Sequence, residues 1–161
     1  MNLVAQLLPL SNVIAELDAD TKESVFGHVA LLFENNLHIA SGEVLVSLLT
    51  REKLGSTGLG QGMAIRHGRI KGLGEAVAAV IRTKNPVPFG APNGLPVSLV
   101  FVLLVPETAT GSHLLILSEL TEMLSKKNFR ESLQSSRSQA EVYRLICNWT
   151  PNVQDQDRAI V

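Results

Sequence analysis

Positions 51–68 read REKLGSTGLGQGMAIRHG, which sets an arginine, a hydroxyl pair, several glycines and a histidine in one short stretch. Arg51 carries a forked guanidinium suited to phosphate oxygens. Ser56 and Thr57 supply hydroxyl donors, and glycines such as Gly58 let backbone N–H groups come close to an anion. His67 follows the apolar run Met63-Ala64-Ile65, which reads as a strand delivering the histidine to an edge or mouth. These ingredients suit a nucleophilic imidazole that accepts a negatively charged group and holds it among fixed donors. A structural reading stands beside this one. An arginine in a helix's last turn complements the macrodipole by roughly 0.3–1 kcal/mol, and most glycine-rich loops are simply turns.

Three other histidines compete for attention. His28 falls mid-helix and His38 in a loop, neither with a Cys, Asp or Glu at ligand spacing, so both read as ordinary residues. His113 begins an apolar stripe, His113, Leu117, Leu120, Leu124, at the first turn of a helix. It is either a core histidine or a partner for His67. A helix N-terminus disfavours imidazolium and welcomes an anion, so a neutral His113 there could donate an N–H to a group carried on His67. No HxH or HExxH spacing suggests a metal, no GxSxG suggests a serine nucleophile, and the loop has neither a P-loop lysine nor GxGxxG. No metal and no cofactor is expected.

The elements that must hold these residues follow from spacing. Residues 2–10 open with a short apolar turn or two, and Val13, Ile14 and Leu17 form a brief strand. Asp20 with Glu23 predicts a helix N-terminus, and Val25, Phe26, Val29, Leu32 and Phe33 carry the helix over 21–35, ending at Asn35-Asn36. Ser41-Gly42 opens a second helix to Lys53, with Arg51 in its last turn. Residues 55–62 read as loop, 76–82 and 87–89 as strands, Asn93-Gly94 as a hairpin turn and 97–105 as a buried central strand. A loop over 106–111, capped by Thr110 or Ser112, precedes the His113 helix, whose end is marked by Lys126-Lys127. Asn128 with Glu131 starts a short helix, and Ser138 with Glu141 starts the last, striped by Val142, Leu145, Ile146 and Trp149 and stopped by Pro151. Strand, two helices, a block of strands and three helices imply an α/β fold whose mixed sheet is covered on both faces.

Composition sets the bounds. The chain of 161 residues is 45% hydrophobic but 4% aromatic, so its core is aliphatic. It fits one domain over 1–150 with a loose polar tail over 151–161. A net charge of −1 without a basic block argues against a nucleic-acid surface. Cys147 is the only cysteine, which rules out an internal disulfide. The longest apolar run is about half the ~20 residues of a membrane helix, and no signal peptide is evident, so no membrane insertion and a cytoplasmic location are expected.

The stretch resembles the active-site signature of the fructose/mannitol-type enzyme IIA proteins of the bacterial phosphotransferase system. Glu52, Leu59-Gly60 and Met63-Ala64-Ile65-Arg66-His67-Gly68 match its pattern, with Arg66 standing where that family usually has proline. The similarity spans about residues 3–149, and the N-terminal run LVAQLLPLSNVIAELDADTKESVFGHVALLFE looks more like the nitrogen-regulatory branch. The resemblance implies a three-layer α/β/α sandwich and transient phosphorylation of His67 by a histidine phosphocarrier protein. It assigns His113 to phosphoryl stabilisation and transfer, Arg51 to phosphate binding, and Ser56, Thr57 and Gly58 to a phosphate-binding loop. It also suggests regulated targets such as potassium transport or a sensor kinase. Two alternatives are a sugar-specific IIA that passes phosphate to a IIB domain, and a binding module without phosphotransfer. An imidazole of ordinary pKa, about 6.5, is mostly neutral at cellular pH and so able to attack phosphorus. Transfer between two histidines leaves the bond type unchanged, so the protein supplies mainly alignment and charge neutralisation. Arg66 in place of proline could loosen the presentation of His67, help hold phosphate, or lower the histidine's pKa. Arg66→Pro is expected to change the rate less than tenfold.

Overall fold

A computed structural model describes residues 2–53, 58–60, 62–89, 96–108 and 112–150; for 51–53, 58–60 and 112–114 it gives backbone only. The tail over 151–161, the Asn93-Gly94 turn, Ser56, Thr57 and Thr110 therefore lie outside the described residues.

A short helix α1 (Leu3–Leu7) and one 3-10 turn lead into strand β1 (Val13–Leu17). Helices α2 (Lys22–Leu37) and α3 (Ser41–Lys53) follow, then strands β2 (Gly58–Gly60), β3 (Met63–Ile70), β4 (Val77–Val87) and β5 (Val97–Pro106). Helices α4 (Ser112–Leu124), α5 (Lys127–Ser135) and α6 (Gln139–Asn148) complete the chain. The five strands form one mixed sheet in the order β1-β4-β5-β3-β2. β1 pairs parallel with β4 and β5 parallel with β3, while β4–β5 and β2–β3 are antiparallel.

One apolar layer packs Val25, Phe26, Val29 and Phe33 of α2 and Val44 and Leu48 of α3 against one face of the sheet. The other packs Ile116, Leu120 and Met123 of α4, Leu133 of α5 and Val142 and Ile146 of α6 against the opposite face. This is the three-layer α/β/α sandwich. β5 lies at its centre, and every residue over 99–105 is buried, because both faces of the strand are covered. Asn2 ties the start of α1 to the end of α6. Its Nδ2 donates to the carbonyls of Ile146 at 2.7 Å and Trp149 at 2.9 Å, and its Oδ1 accepts from Ala5 N–H at 2.7 Å.

Several boundaries differ from the spacing-based reading. Thr21, not Asp20, caps α2, its hydroxyl accepting from Ser24 N–H at 3.1 Å. Helix α2 runs past Asn35-Asn36 and ends where His38 turns left-handed at φ 58°. The strands expected at 76–82 and 87–89 are one strand, β4, whose register shifts between Arg82 and Val87, where Lys84, Asn85 and Pro86 are exposed. Lys126 and Lys127 do not end α4; Lys126 sits at the N-cap position of α5, in place of Asn128, and makes no side-chain capping bond. Lys127 instead meets Glu131 one turn on, at 3.9 Å. Ser138 caps α6 as expected, accepting from Glu141 N–H at 3.1 Å.

The α2–α3 corner is tied by a carboxylate. The Ser41 N–H at the start of α3 donates to Glu34 Oε2 at 2.8 Å. That bond, with a further contribution from the Ser41 side chain, holds the Glu34 carboxyl below its ordinary pKa. A folded-state pKa below the unfolded one means the bond stabilises above the unfolded value and is lost as pH falls through the folded one. Glu34→Gln is therefore expected to lower Tm at about pH 7, with the gap to wild type closing on acidification below the usual glutamate pKa of about 4.3. Thermal melts across that range check this; a gap independent of pH would contradict it.

Candidate functional site

β3 pairs in register with β5 along its length, from Met63↔Leu99 to Ile70↔Pro106. Successive side chains of a strand point to opposite faces. Met63, Ile65, His67 and Arg69 thus share one face, and Met63 and Ile65 pack in the layer under α4. Ala64, Arg66, Gly68 and Ile70 share the other, and Ala64 and Ile70 pack in the layer under α2 and α3. His67, opposite Leu103, is half-buried. It is not at a strand terminus, as the short apolar run suggested, because β3 continues three residues beyond it.

Helix α4 follows β5 and contributes Ile116 and Leu120 to the apolar layer on the face that carries His67, the layer that also holds Leu103 and Val105. Ser112 opens α4 a few residues after Pro106, the residue of β5 that pairs with Ile70 at the end of β3. Two bonds tie the connection between β5 and α4 to β3: Arg69 Nη1 donates to the Glu107 carbonyl at 3.0 Å, and Glu107 N–H to the Ile70 carbonyl at 3.2 Å. The side chain of His113 lies outside the described residues.

Helix α3 comes close to β3 at Gly68. A methyl on Gly68 would overlap Ser47 Oγ and come within 3.1 Å of Ser47 Cβ, while Ser47 Oγ itself donates to the Arg69 carbonyl at 3.2 Å. An open cleft of about 940 Å³ runs along this junction, walled by Val46, Ser47, Thr50, His67, Arg69 and Lys71. Val46 leaves 64% of its surface exposed there. Arg51 falls in the last turn of α3, as expected, but its side chain lies outside the described residues. Gly58 opens β2 and pairs with Ala64, so part of the expected loop over 55–62 is a short strand.

Arg66 is wholly buried, at 0% exposure, and belongs to the face opposite His67. It is thereby removed from any group carried on the His67 ring, which corrects the reading of Arg66 as a phosphate-holding cation. His28 is exposed, with Nδ1 2.8 Å from the Ser24 carbonyl, and His38 is the left-handed residue after α2. Among the described residues no three His, Cys, Asp or Glu side chains gather as a metal site, and no helix is long and apolar enough to cross a membrane. Sequence reasoning missed Ser47 and Arg69. A small polar residue between Val44 and Leu48 on a helix's buried stripe, and a cation two places after a strand histidine, were the available signals.

Residues 6–149 match the family described as phosphoenolpyruvate-dependent sugar phosphotransferase system, EIIA 2. The chain belongs to this family. The EIIA match spans every strand of the sheet and helices α2 to α6. Among its relatives is the nitrogen regulatory protein of Pseudomonas aeruginosa, 36% identical over 142 residues, covering 88% of this chain and 92% of that one. The crystal structure of nitrogen regulatory protein IIA-Ntr from Neisseria meningitidis superposes with a TM-score of 0.84 at 47% identity, covering 90% of this chain and 99% of that one. The IIA mannitol structure from Escherichia coli shares the EIIA fold at a TM-score of 0.72 and 23% identity, covering 86% of this chain and 97% of that one.

Proposed function

We propose that this EIIA protein is a regulatory phosphocarrier in which His67 accepts a phosphoryl group from a histidine phosphocarrier protein. The observation that carries the reading is the placement of His67: half-buried on β3 and lining an open cleft between β3 and α3. A cleft of this kind admits a protein-borne phosphohistidine, and the half-buried strand fixes the attacking ring. In the step, a His67 ring nitrogen attacks phosphorus, the bond from phosphorus to the carrier's imidazole breaks, and the carrier's ring leaves with its electron pair. The N-terminus of α4, with the positive end of its dipole, is proposed to stabilise the spreading phosphoryl charge. Arg51, at the end of α3, and Ser56, Thr57 and Gly58, between α3 and β3, complete the proposed phosphate-binding set. His113, second residue of α4, is the partner that stabilises and releases the phosphoryl group. The similarity to nitrogen regulatory proteins supports a regulatory rather than a sugar-transporting role, exercised in the cytoplasm through partner proteins, with potassium transport or a sensor kinase as targets. A single unit over 1–150 is sufficient for it.

Incubation with phosphoenolpyruvate, the first enzyme of the relay and its carrier should add one phosphate, labile in acid and stable in alkali. No uptake with a competent donor, alongside retained partner binding, would favour a docking module instead, and transfer onward to a IIB protein would favour the sugar-specific branch. His113→Ala should still accept phosphate but return it to the carrier at least about tenfold more slowly, since one developing-charge donor is worth about that or more. Wild-type return would leave His113 a structural residue.

A further inference from the structure

The geometry points to Arg69 as a further phosphoryl-binding residue, whose guanidinium leaves a resting bond on the Glu107 carbonyl to meet the charge carried on His67. Its role in transfer rests on the phosphocarrier reading above. β3 pairs with β5 without a register break from Met63 to Ile70, so Arg69 leaves the strand on the same face as His67. Val105 stands opposite it, as Leu103 stands opposite His67. Two residues along a strand are about 6.6–6.8 Å apart, a gap that a long arginine side chain spans. The Arg69 backbone is fixed from two sides. Ser47 Oγ of α3 donates to its carbonyl at 3.2 Å, and β5 pairs with it through Val105.

The head group, by contrast, is exposed. Nη1 donates to the Glu107 carbonyl at 3.0 Å, which engages one of the five guanidinium N–H groups. A charged acceptor makes a shorter bond, roughly twice as strong as a neutral carbonyl does. A phosphoryl group on the His67 ring therefore outcompetes the Glu107 carbonyl for the guanidinium, whose planar fork takes two phosphate oxygens at once. The exchange costs little, because the head group already stands in water and gives up a single neutral bond. Glu43 of α3 and Lys71 are the other charged side chains that line the cleft. Lys71 lies in the turn after β3, twice as far along the chain from His67 as Arg69.

The test compares the full chain with Arg69→Gln, which keeps a donor for the Glu107 carbonyl but loses the charge, Arg69→Lys, which keeps the charge, and Lys71→Gln. Three quantities are read: kcat and KM for phosphoryl uptake from the carrier, the equilibrium partition of phosphate between carrier and protein, and the Kd for inorganic phosphate from shifts of the His67 and Gly68 amides. Arg69→Gln should lower kcat about tenfold or more, as loss of one donor to a developing charge does. It should also move the partition about fivefold toward the carrier, the scale of losing a charged hydrogen bond for a neutral one. Arg69→Lys should return both to within about threefold of wild type, because lysine still offers phosphate a point charge. Lys71→Gln should hold the partition within about twofold of wild type, since exposed charges at longer range are screened. If Arg69 only clips Glu107 to β3, Arg69→Gln leaves the partition unchanged, and that result would overturn the proposal. So would an effect confined to KM, or one that Lys71→Gln shares equally. If the wild type takes no label, the functional reading fails and the phosphate titration decides the site alone. A Kd raised about fivefold or more in Arg69→Gln supports it, and equal or undetectable binding in both proteins overturns it.

Discussion

His67→Ala is expected to take up no phosphate from the charged carrier, a loss of at least about three orders of magnitude, because removal of a nucleophile abolishes the covalent step rather than slowing it. The other described imidazoles do not stand in for it. His28 is exposed on α2 with its Nδ1 beside the Ser24 carbonyl, and His38 lies at the far end of that helix. Neither lines the cleft beside β3. The substitution should leave the fold intact, because the ring is half-buried and β3 is held by its full register with β5. Circular dichroism with the labelling assay separates the two effects. A folded His67→Ala protein that accepts phosphate at the wild-type rate would remove His67 from the mechanism.

Gly68→Ala should cost roughly 1–3 kcal/mol, the range for forcing an extra methyl into a packed site, and Gly68→Val more. The reason is the close approach of α3, since the new methyl would collide with Ser47 Oγ and press on Ser47 Cβ. The Ser47 hydroxyl would have to swing aside, giving up its bond to the Arg69 carbonyl, and α3 would have to shift by a few tenths of an ångström at Ser47 Cβ, reshaping the cleft wall. The clash predicts its own suppressors. Ser47→Ala removes Oγ but leaves Cβ at 3.1 Å, so it should restore part of the stability, and Ser47→Gly should restore most of it. A double-mutant cycle in urea measures the coupling. Gly68→Ala as stable as wild type, or losses that simply add, would show that α3 does not sit this close.

Much of this was legible because helix spacing and caps are local signals. Val25, Phe26, Val29 and Phe33 mark the buried stripe of α2, and the Ser138 cap is visible as a serine three residues before a glutamate. The central strand announced itself as an apolar run between prolines. β2 did not, since Gly58-Leu59-Gly60 has too few side chains to show a period of two. The most consequential misreading came from strand length. Had β3 ended at Ile65, Arg66 and His67 would lie in a loop, where both could face one anion. Because it runs to Ile70, alternation sends them to opposite faces. The Ser47–Gly68 contact joins two elements whose approach no local pattern records, and the Glu34 cap on Ser41 spans a corner in the same way.

The central claim is that the imidazole at 67 carries the phosphoryl group. Tandem mass spectrometry of the carrier-labelled protein, digested at neutral to alkaline pH and fragmented without heating, locates the phosphate directly. Phosphate on the peptide containing His67, and on that residue within it, is the predicted result. Phosphate on His28, His38 or His113 with His67 unmodified would contradict the account.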